Sequence, residues 1–214
     1  MSGRLLSDVT GAILAGGRSS RLGTDKALVT VGGKPLIERV ADALTAVCEH
    51  VILVTGRPET YAFLGLPTVS DLYPGRGPLA GIHAALWHAS TPLVFMSACD
   101  MPFVTAELVR LALSRSEGYD AVVPYPDGQA EPLQGLYHRR CLIAIEESIA
   151  AGQTSVRGFL DRIAVRRLER PEIQRIGDPS LIFFNLNTAS DLARAEALAA
   201  ALAAGTAGAP VRPE

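Results

Sequence analysis

The chain has 214 residues, of which 48% are hydrophobic and 20% are charged, and its formal net charge is −2. This composition is that of a packed globular protein and excludes an intrinsically disordered chain. The slight negative charge also disfavours binding to nucleic acid, because proteins that neutralise phosphates usually carry an excess of Lys and Arg.

The chain gives no sign of a membrane, secretory or zinc-binding protein. No apolar run approaches the roughly 20 residues that span a bilayer, and residues 1–8 contain no apolar signal-peptide region. Cys48, Cys99 and Cys141 are scattered without a C-x-x-C pair, and the four histidines lack ligand spacing. We therefore expect a cytoplasmic protein without a disulfide framework.

The first half of the chain alternates short apolar strands with helices. Residues 12–15 form an apolar run that stops at Gly16, which is typical of a buried strand in a parallel sheet. Residues 18–34 lack apolar periodicity and predict a loop, and Pro35 is suited to the first position of a helix. The next predicted elements are a strand at 51–55, a strand end at 69–71 and a helix at 78–87.

The second half continues the alternation. Strands are predicted at 93–97, 121–124, 131–137 and 164–168, and helices at 105–116, 141–150, 155–160 and 189–204. This order predicts an α/β fold with a Rossmann-like, doubly wound, mostly parallel sheet in a three-layer α/β/α arrangement. We expect a single domain over residues 1–204 and a flexible C-terminal tail over 205–214, which is rich in small residues and proline.

The strongest local feature is a glycine-rich segment that follows the first strand. Gly16 and Gly17 allow a close approach of backbone N–H groups to an anion, and Arg18, Arg21 and Lys26 add three cations. The segment matches neither G-x-G-x-x-G nor the P-loop pattern, although the physical basis is similar. It predicts a triphosphate site, and the alternative is a glycine turn with solvated surface charges.

Asp100 is the second candidate, because it lies just past the apolar strand at 93–97. Ligands of doubly wound sheets bind at the carboxyl ends of strands, and a carboxylate there is a natural ligand for Mg²⁺. The alternative role is an N-cap of the following helix, but Thr105 is better spaced for that role.

Asn185 and Asn187 form the third candidate. Alternation along an extended segment places both amides on one face, away from Phe184 and Leu186. Such amides can help hold a metal or a phosphate. The alternative is that this stretch only caps the last helix, with Asp191 contributing.

A weaker group follows the second strand and surrounds the next helix start. Asp71 ends a short strand, and Gly77 and Gly81 flank the helix that Pro78 opens. Glycines at such a position can bring a ligand close to N–H donors. Equally, Gly81 can simply relieve crowding between helix and sheet.

Taken together, these motifs resemble the molybdenum cofactor guanylyltransferases, which belong to the nucleotide-diphospho-sugar transferase-like superfamily. The resemblance covers nearly the whole chain in the expected order. It is carried by residues 14–28, 33–36, 77–81, 99–102, 132–133, 139–160 and 183–188.

This resemblance implies that GTP and the molybdopterin cofactor give the guanine dinucleotide cofactor and pyrophosphate, with Mg²⁺ as cofactor. Arg21, Lys26 and Asp100 are the implied catalytic residues, and Asp100 is the implied metal ligand. The nucleotide would contact Leu14, Ala15, Gly16, Gly17, Lys26, Asp71 and Asp100. The pterin side would be formed by Gly77, Pro78, Gly81, Asn185 and Asn187. The implied partners are GTP and molybdopterin, with other cofactor-biosynthesis proteins and recipient molybdoenzymes as candidates, and we expect a monomer.

One segment departs from the family pattern. Val54 stands where relatives often carry an Asn that contacts the nucleotide, which leaves backbone groups, Thr55 or Asp71 to read the base. The pair Gly16-Gly17 resembles the guanylyl branch, whereas cytidylyl relatives usually read A-A-G there. The alternatives are a cytidylyltransferase or sugar-1-phosphate nucleotidyltransferase on this fold, or a non-catalytic GTP-binding protein that delivers cofactor. A dinucleotide-dependent oxidoreductase is disfavoured by the missing G-x-G-x-x-G.

Overall fold

The computed structural model describes residues 5–16 and 25–205. Its strands are β1 (Leu6–Leu14), β2 (Thr30–Val31), β3 (Lys34–Pro35), β4 (Cys48–Val54), β5 (Thr68–Val69), β6 (Leu93–Ala98), β7 (Ala121–Tyr125), β8 (Leu136–His138) and β9 (Val165–Glu169). Seven of them form one sheet in the order β5-β4-β1-β6-β8-β7-β9, and β2 pairs with β3. Within the large sheet β8 runs antiparallel to β6 and β7, and the other neighbours are parallel.

Helices cover both faces of this sheet. They are α1 (Leu36–Thr45), α2 (Pro78–His88), α3 (Ala106–Leu113), α4 (Cys141–Ala150), α5 (Val156–Leu160), α6 (Arg170–Ile173), α7 (Pro179–Ile182) and α8 (Ala189–Ala203). Short 3-10 helices lie at Lys26–Leu28, Pro58–Leu64 and Pro132–Gln134. The described residues contain no helix that is long and apolar enough to cross a membrane.

The central strand β1 shows why the fold has three layers. Successive side chains of a strand point to opposite faces. Val9 and Ile13 pack in one core with residues of α1 and α3, whereas Ala12 packs in a second core with residues of α2 and α4. The predicted α/β class with a mostly parallel sheet between helical layers is therefore confirmed.

Several predicted bounds are corrected by the structure. The first strand begins at Leu6 and not at residue 12. The polar residue Thr10 fits inside the strand because it is buried with its hydroxyl 2.7 Å from that of Thr91. The predicted loop at 18–34 ends in the β2–β3 hairpin, whose two turn residues Gly32 and Gly33 have φ of 59° and 76°. Positive φ at both central residues is the requirement of a type I′ hairpin turn.

Three further corrections involve proline. Pro35 ends β3 and precedes α1 instead of opening it. The predicted strand at 131–137 is a strand only from Leu136, since Pro132 begins a 3-10 helix. Pro58 and Pro179 start short helices that the sequence analysis did not predict, in agreement with the preference of proline for a first helical turn.

Candidate active site

The carboxyl ends of three parallel strands meet at one edge of the sheet. The backbone N–H of Ala15, just past β1, donates to the carbonyl of Val54 at the end of β4 at 3.0 Å. The N–H of Cys99, just past β6, donates to the carbonyl of Leu14 at 3.3 Å. The start of the glycine segment and the residue before Asp100 are thus neighbours, as expected for a ligand-binding edge of a parallel sheet.

Lys26 and Asp100 form an ion pair at this edge. The amine of Lys26 donates to Oδ2 of Asp100 at 2.7 Å, and only 15% and 23% of the two side chains are exposed. Lys26 begins a 3-10 helix that Asp25 caps, because Oδ1 of Asp25 accepts from the N–H of Ala27 at 3.2 Å. Two residues separated by 74 positions in the sequence are therefore in direct contact.

The two asparagines join the same cluster. The Lys26 amine donates to Oδ1 of Asn187 at 2.8 Å and lies 3.5 Å from Oδ1 of Asn185. Both asparagines are exposed, whereas Phe184 and Leu186 are buried in a small core. Three side-chain oxygens thus converge on one ammonium group.

The backbone fixes this asparagine segment against Asp100. The N–H of Leu186 donates to the carbonyl of Asp100 at 3.0 Å. Its side chain packs with residues of α8 and of the β2–β3 hairpin. Leu186 therefore fixes the positions of the Asn185 and Asn187 side chains relative to Asp100.

Capping of α8 does not use the Asn187 side chain. The hydroxyl of Thr188 accepts from the N–H of Asp191 at 3.1 Å, and Oδ2 of Asp191 accepts from the N–H groups of Asn187 and Thr188. The bond from the Asn187 backbone is the main reason why the pKa of Asp191 lies below its usual value. The capping residue is Thr188, which leaves the amide of Asn187 available to Lys26.

The donor set fits a hard divalent cation. Oδ1 of Asp100 is buried and has no hydrogen-bond partner among the described residues, although such atoms are normally satisfied. No group of three or more His, Cys, Asp and Glu that could hold a metal occurs within residues 5–16 and 25–205. Mg²⁺, however, is commonly held by one or two carboxylates together with water and substrate phosphates. One carboxylate oxygen without a partner is compatible with that coordination, and the two asparagine oxygens that contact Lys26 add neutral oxygen ligands to the same cluster.

The weaker candidates lie around the start of α2. Oδ1 of Asp71 accepts from the N–H of Tyr73 at 2.7 Å, and no hydrogen bond within the described part of the chain joins Asp71 to Lys26 or Asp100. Gly77 has φ of 73°, which a residue with a Cβ adopts only with strain. Pro78 follows it as the first residue of α2.

Gly81 faces the end of β1. A Cβ on Gly81 would lie 3.6 Å from the side chain of Leu14, which is an ordinary van der Waals distance. The structure therefore places Gly81 at the helix–sheet contact, and crowding there is mild. At Gly16 no heavy atom of the described residues lies within 4 Å of where a Cβ would be. Gly17 and Arg21 lie outside the described residues, as do Arg18, Gly23 and positions 206–214 of the expected tail.

The side chain of Val54 is buried, so it offers no polar group to a base. Thr55 is also buried, and its hydroxyl accepts from the N–H of Arg57 at 3.1 Å. This leaves backbone groups and Asp71 as the freer candidates for reading the base. Cys99 is no competing nucleophile, because burial raises the pKa of its thiol to about 12 and keeps it neutral.

Sequence reasoning missed a second cluster beside the site. Oδ2 of Asp25 accepts from the hydroxyl of Tyr61 at 2.8 Å and forms an ion pair with the guanidinium of Arg57 at 2.7 Å. Burial and the bond to Asp25 raise the pKa of Tyr61, so its hydroxyl is a permanent donor at neutral pH. The position of Asp25 directly before Lys26 and Ala27 is typical of a helix N-cap. No local sequence pattern predicts its contacts with Arg57 and Tyr61.

This protein has the nucleotide-diphospho-sugar transferase fold, a mostly parallel seven-stranded sheet between two layers of helices. The same fold occurs in 2-C-methyl-D-erythritol 4-phosphate cytidylyltransferase from Thermus thermophilus, with a TM-score of 0.66 and 21% identity over 88% of this chain and 98% of that one. The fold thus places the protein among proteins built like nucleotidyltransferases.

Closer similarities define the family. The model of the MobA-like NTP transferase domain matches residues 11–170. A probable molybdenum cofactor guanylyltransferase from Pelotomaculum thermopropionicum is 44% identical over 190 residues, which cover 89% of this chain and 93% of that protein. Molybdopterin-guanine dinucleotide biosynthesis protein A from Archaeoglobus fulgidus has a TM-score of 0.78 at 30% identity, covering 89% and 98%. The chain belongs to the MobA-like NTP transferase family.

Proposed function

We propose that the protein transfers GMP from GTP to molybdopterin cofactor, giving molybdopterin guanine dinucleotide and pyrophosphate. The observation that carries this proposal is the Lys26 amine held 2.7 Å from Asp100 and 2.8 Å from Asn187 at the carboxyl edge of the sheet. It is supported by relatives named for this activity that match most of the chain.

The reaction requires positioning and charge neutralisation. An oxygen of the pterin phosphate forms a bond to the α-phosphorus of GTP, and the bond from that phosphorus to the bridging oxygen of pyrophosphate breaks. Both reactants are anions, so Lys26 and Arg21 would stabilise the negative charge that leaves with pyrophosphate. The attacking phosphate oxygen is already deprotonated near neutral pH, and the mechanism therefore needs no general base.

Each side of the edge receives one substrate in this proposal. Leu14, Ala15, Gly16, Gly17 and Asp71 would contact GTP. Gly77, Pro78, Asn185 and Asn187 would face the pterin phosphate, and Gly81 would contribute indirectly, through its contact with Leu14. This arrangement would hold the two reacting phosphates close to each other, and such positioning is a large part of what an enzyme of this kind contributes.

Asp100 would hold Mg²⁺ through its unpartnered Oδ1, with the amide oxygens of Asn185 and Asn187 nearby. When bound, the ion would supply positive charge against the triphosphate. We further propose that the protein works in the cytoplasm as a monomer and binds neither nucleic acid nor membrane; its net charge of −2 supports the absence of nucleic-acid binding.

Parallel incubations with different triphosphates test the proposal. Purified protein, Mg²⁺ and molybdopterin are mixed with GTP, CTP, ATP or UTP, and pyrophosphate release is followed. We expect release with GTP far above the others. Release with CTP alone would favour the cytidylyl alternative, and GTP binding without any release would favour a delivery protein.

A further inference from the structure

Arg57 and Tyr61, which follow β4 in the chain, contact the residue that precedes Lys26. Both side chains contact Asp25, which directly precedes Lys26: the Tyr61 hydroxyl at 2.8 Å and the Arg57 guanidinium at 2.7 Å from the same Oδ2. Arg57 also donates to the Tyr61 hydroxyl at 3.0 Å. The three residues form a closed triangle of two hydrogen bonds and one ion pair next to the candidate phosphate ligand.

Asp25 transmits this anchoring to Lys26. Its other oxygen, Oδ1, accepts from the N–H of Ala27, whose side chain is buried in the main core. The residues on both sides of Lys26 are therefore fixed, one by the triangle and one by packing. A lysine side chain is long and flexible, so the place of its amine depends on how firmly its backbone is held.

The triangle is poorly suited to a purely stabilising role. Half of the Arg57 side chain is exposed (51%), and ion pairs with such exposure contribute little to folding because solvent screens them. Tyr61, in contrast, is fully buried and points its hydroxyl at Asp25. Arg57, which donates to the Tyr61 hydroxyl, and the buried Tyr61 are together well placed to orient Asp25.

We propose that Arg57 and Tyr61 are positioning residues for triphosphate binding, which act by holding Asp25 so that the amine of Lys26 stands beside Asp100. Among the described residues no hydrogen bond or ion pair joins either side chain to Lys26. The inference rests on the proposed function, because it takes Lys26 to be a ligand of the triphosphate.

The test uses two variants and a matched control in the full-length protein. Arg57→Ala removes the charged corner of the triangle, and Tyr61→Phe removes only a hydroxyl while keeping the buried ring. Arg162→Ala is the control, because Arg162 also donates to one carboxylate and one hydroxyl, those of Glu147 and Ser148, with 39% of its side chain exposed. Affinity for GTP is measured by calorimetry, and thermal unfolding is recorded alongside.

A double-mutant cycle with Lys26→Met separates positioning from general structure. We expect each of Arg57→Ala and Tyr61→Phe to weaken GTP affinity by at least about threefold, and to cause no further loss when Lys26 is already Met. Arg57→Lys should recover part of the loss, and Arg162→Ala should leave the affinity unchanged. Equal losses in both backgrounds would mean that Arg57 contacts the nucleotide directly or acts through the fold, and would overturn the proposal.

The outcomes also distinguish this inference from the proposed function. If the wild type binds GTP and Lys26→Met weakens it, but Arg57→Ala and Tyr61→Phe bind as the wild type does, only the positioning role is wrong. If the wild type binds no GTP, or Lys26→Met binds it normally, the phosphate assignment of Lys26 fails and the positioning role fails with it.

Discussion

Replacing Lys26 by Met removes the ammonium but keeps most of the aliphatic stem, and it should destabilise the protein even without nucleotide. The amine makes charge-assisted bonds of 2.7 Å to Asp100 and 2.8 Å to Asn187, and both members of the ion pair are more than three quarters covered. Hydrogen bonds to charged groups contribute roughly 1.5–3 kcal/mol. Because Asp100 regains some water after the change, we expect a loss of about 2 kcal/mol, near the lower part of that range.

Urea denaturation followed by circular dichroism measures this loss, with thermal unfolding as a second readout. For a chain of this size the midpoint should fall by roughly 4–8 °C. Lys34→Met is the matched control: Lys34 also pairs with carboxylates, those of Glu38 and Asp42, but 40% of its side chain is exposed. Its loss should be clearly smaller than that of Lys26→Met, because solvent and salt screen an ion pair with this exposure. If the two variants unfold alike, the Lys26 amine is not held by Asp100 and Asn187 in solution, and the reasoning about the site is refuted.

Two further predictions concern the support of the site and its response to acid. Leu186→Ala should lower the free energy of unfolding by about 2–5 kcal/mol, because the side chain is fully buried, and it should raise KM for the acceptor by displacing Asn185 and Asn187. Denaturation and steady-state kinetics measure the two effects, and an unaltered KM in a folded variant would argue against the support role of Leu186. Burial alone would raise the pKa of Glu172, but hydrogen bonds from Arg115 and Arg166 outweigh it and lower that pKa. A carboxyl group whose pKa is lowered by folding stabilises the protein at pH values above its ordinary pKa of about 4.3. This stabilisation is lost as the pH falls through the pKa of the folded state. The stability gap between wild type and Glu172→Gln should therefore be full at neutral pH and close in acid, and a gap independent of pH would contradict this.

Much of the fold follows from local patterns in the sequence. Continuous apolar runs predicted the strands that became β4 and β6, since both faces of a parallel strand are buried. Thr105 was recognisable as the cap of α3, and its hydroxyl accepts from the N–H of Leu108 at 3.2 Å. The β2–β3 hairpin was missed because each of its strands has only two residues, too few for any periodicity.

The candidate site was predictable in its members but not in its contacts. The sequence indicated Lys26 as a cation of the glycine segment, Asp100 at the end of a strand and Asn187 on the polar face of an extended segment, and only the family resemblance implied that they share a site. Their pairing spans 74 and 161 residues, and only the strand order brings them together. The contact between Asp25 and Arg57 could not be predicted for the same reason. No local sequence pattern indicates which distant residue pairs with an arginine that follows a strand.

The central claim is that this sheet edge transfers GMP to molybdopterin. It is tested most directly by mixing the protein with Mg²⁺, GTP and molybdopterin, and identifying the product by mass for the wild type and for Asp100→Asn. The wild type should give molybdopterin guanine dinucleotide and pyrophosphate, and the variant, which keeps the size of the side chain but loses its charge, should give almost none. Near-normal product from Asp100→Asn, or no guanine dinucleotide from a folded wild type, would contradict the account.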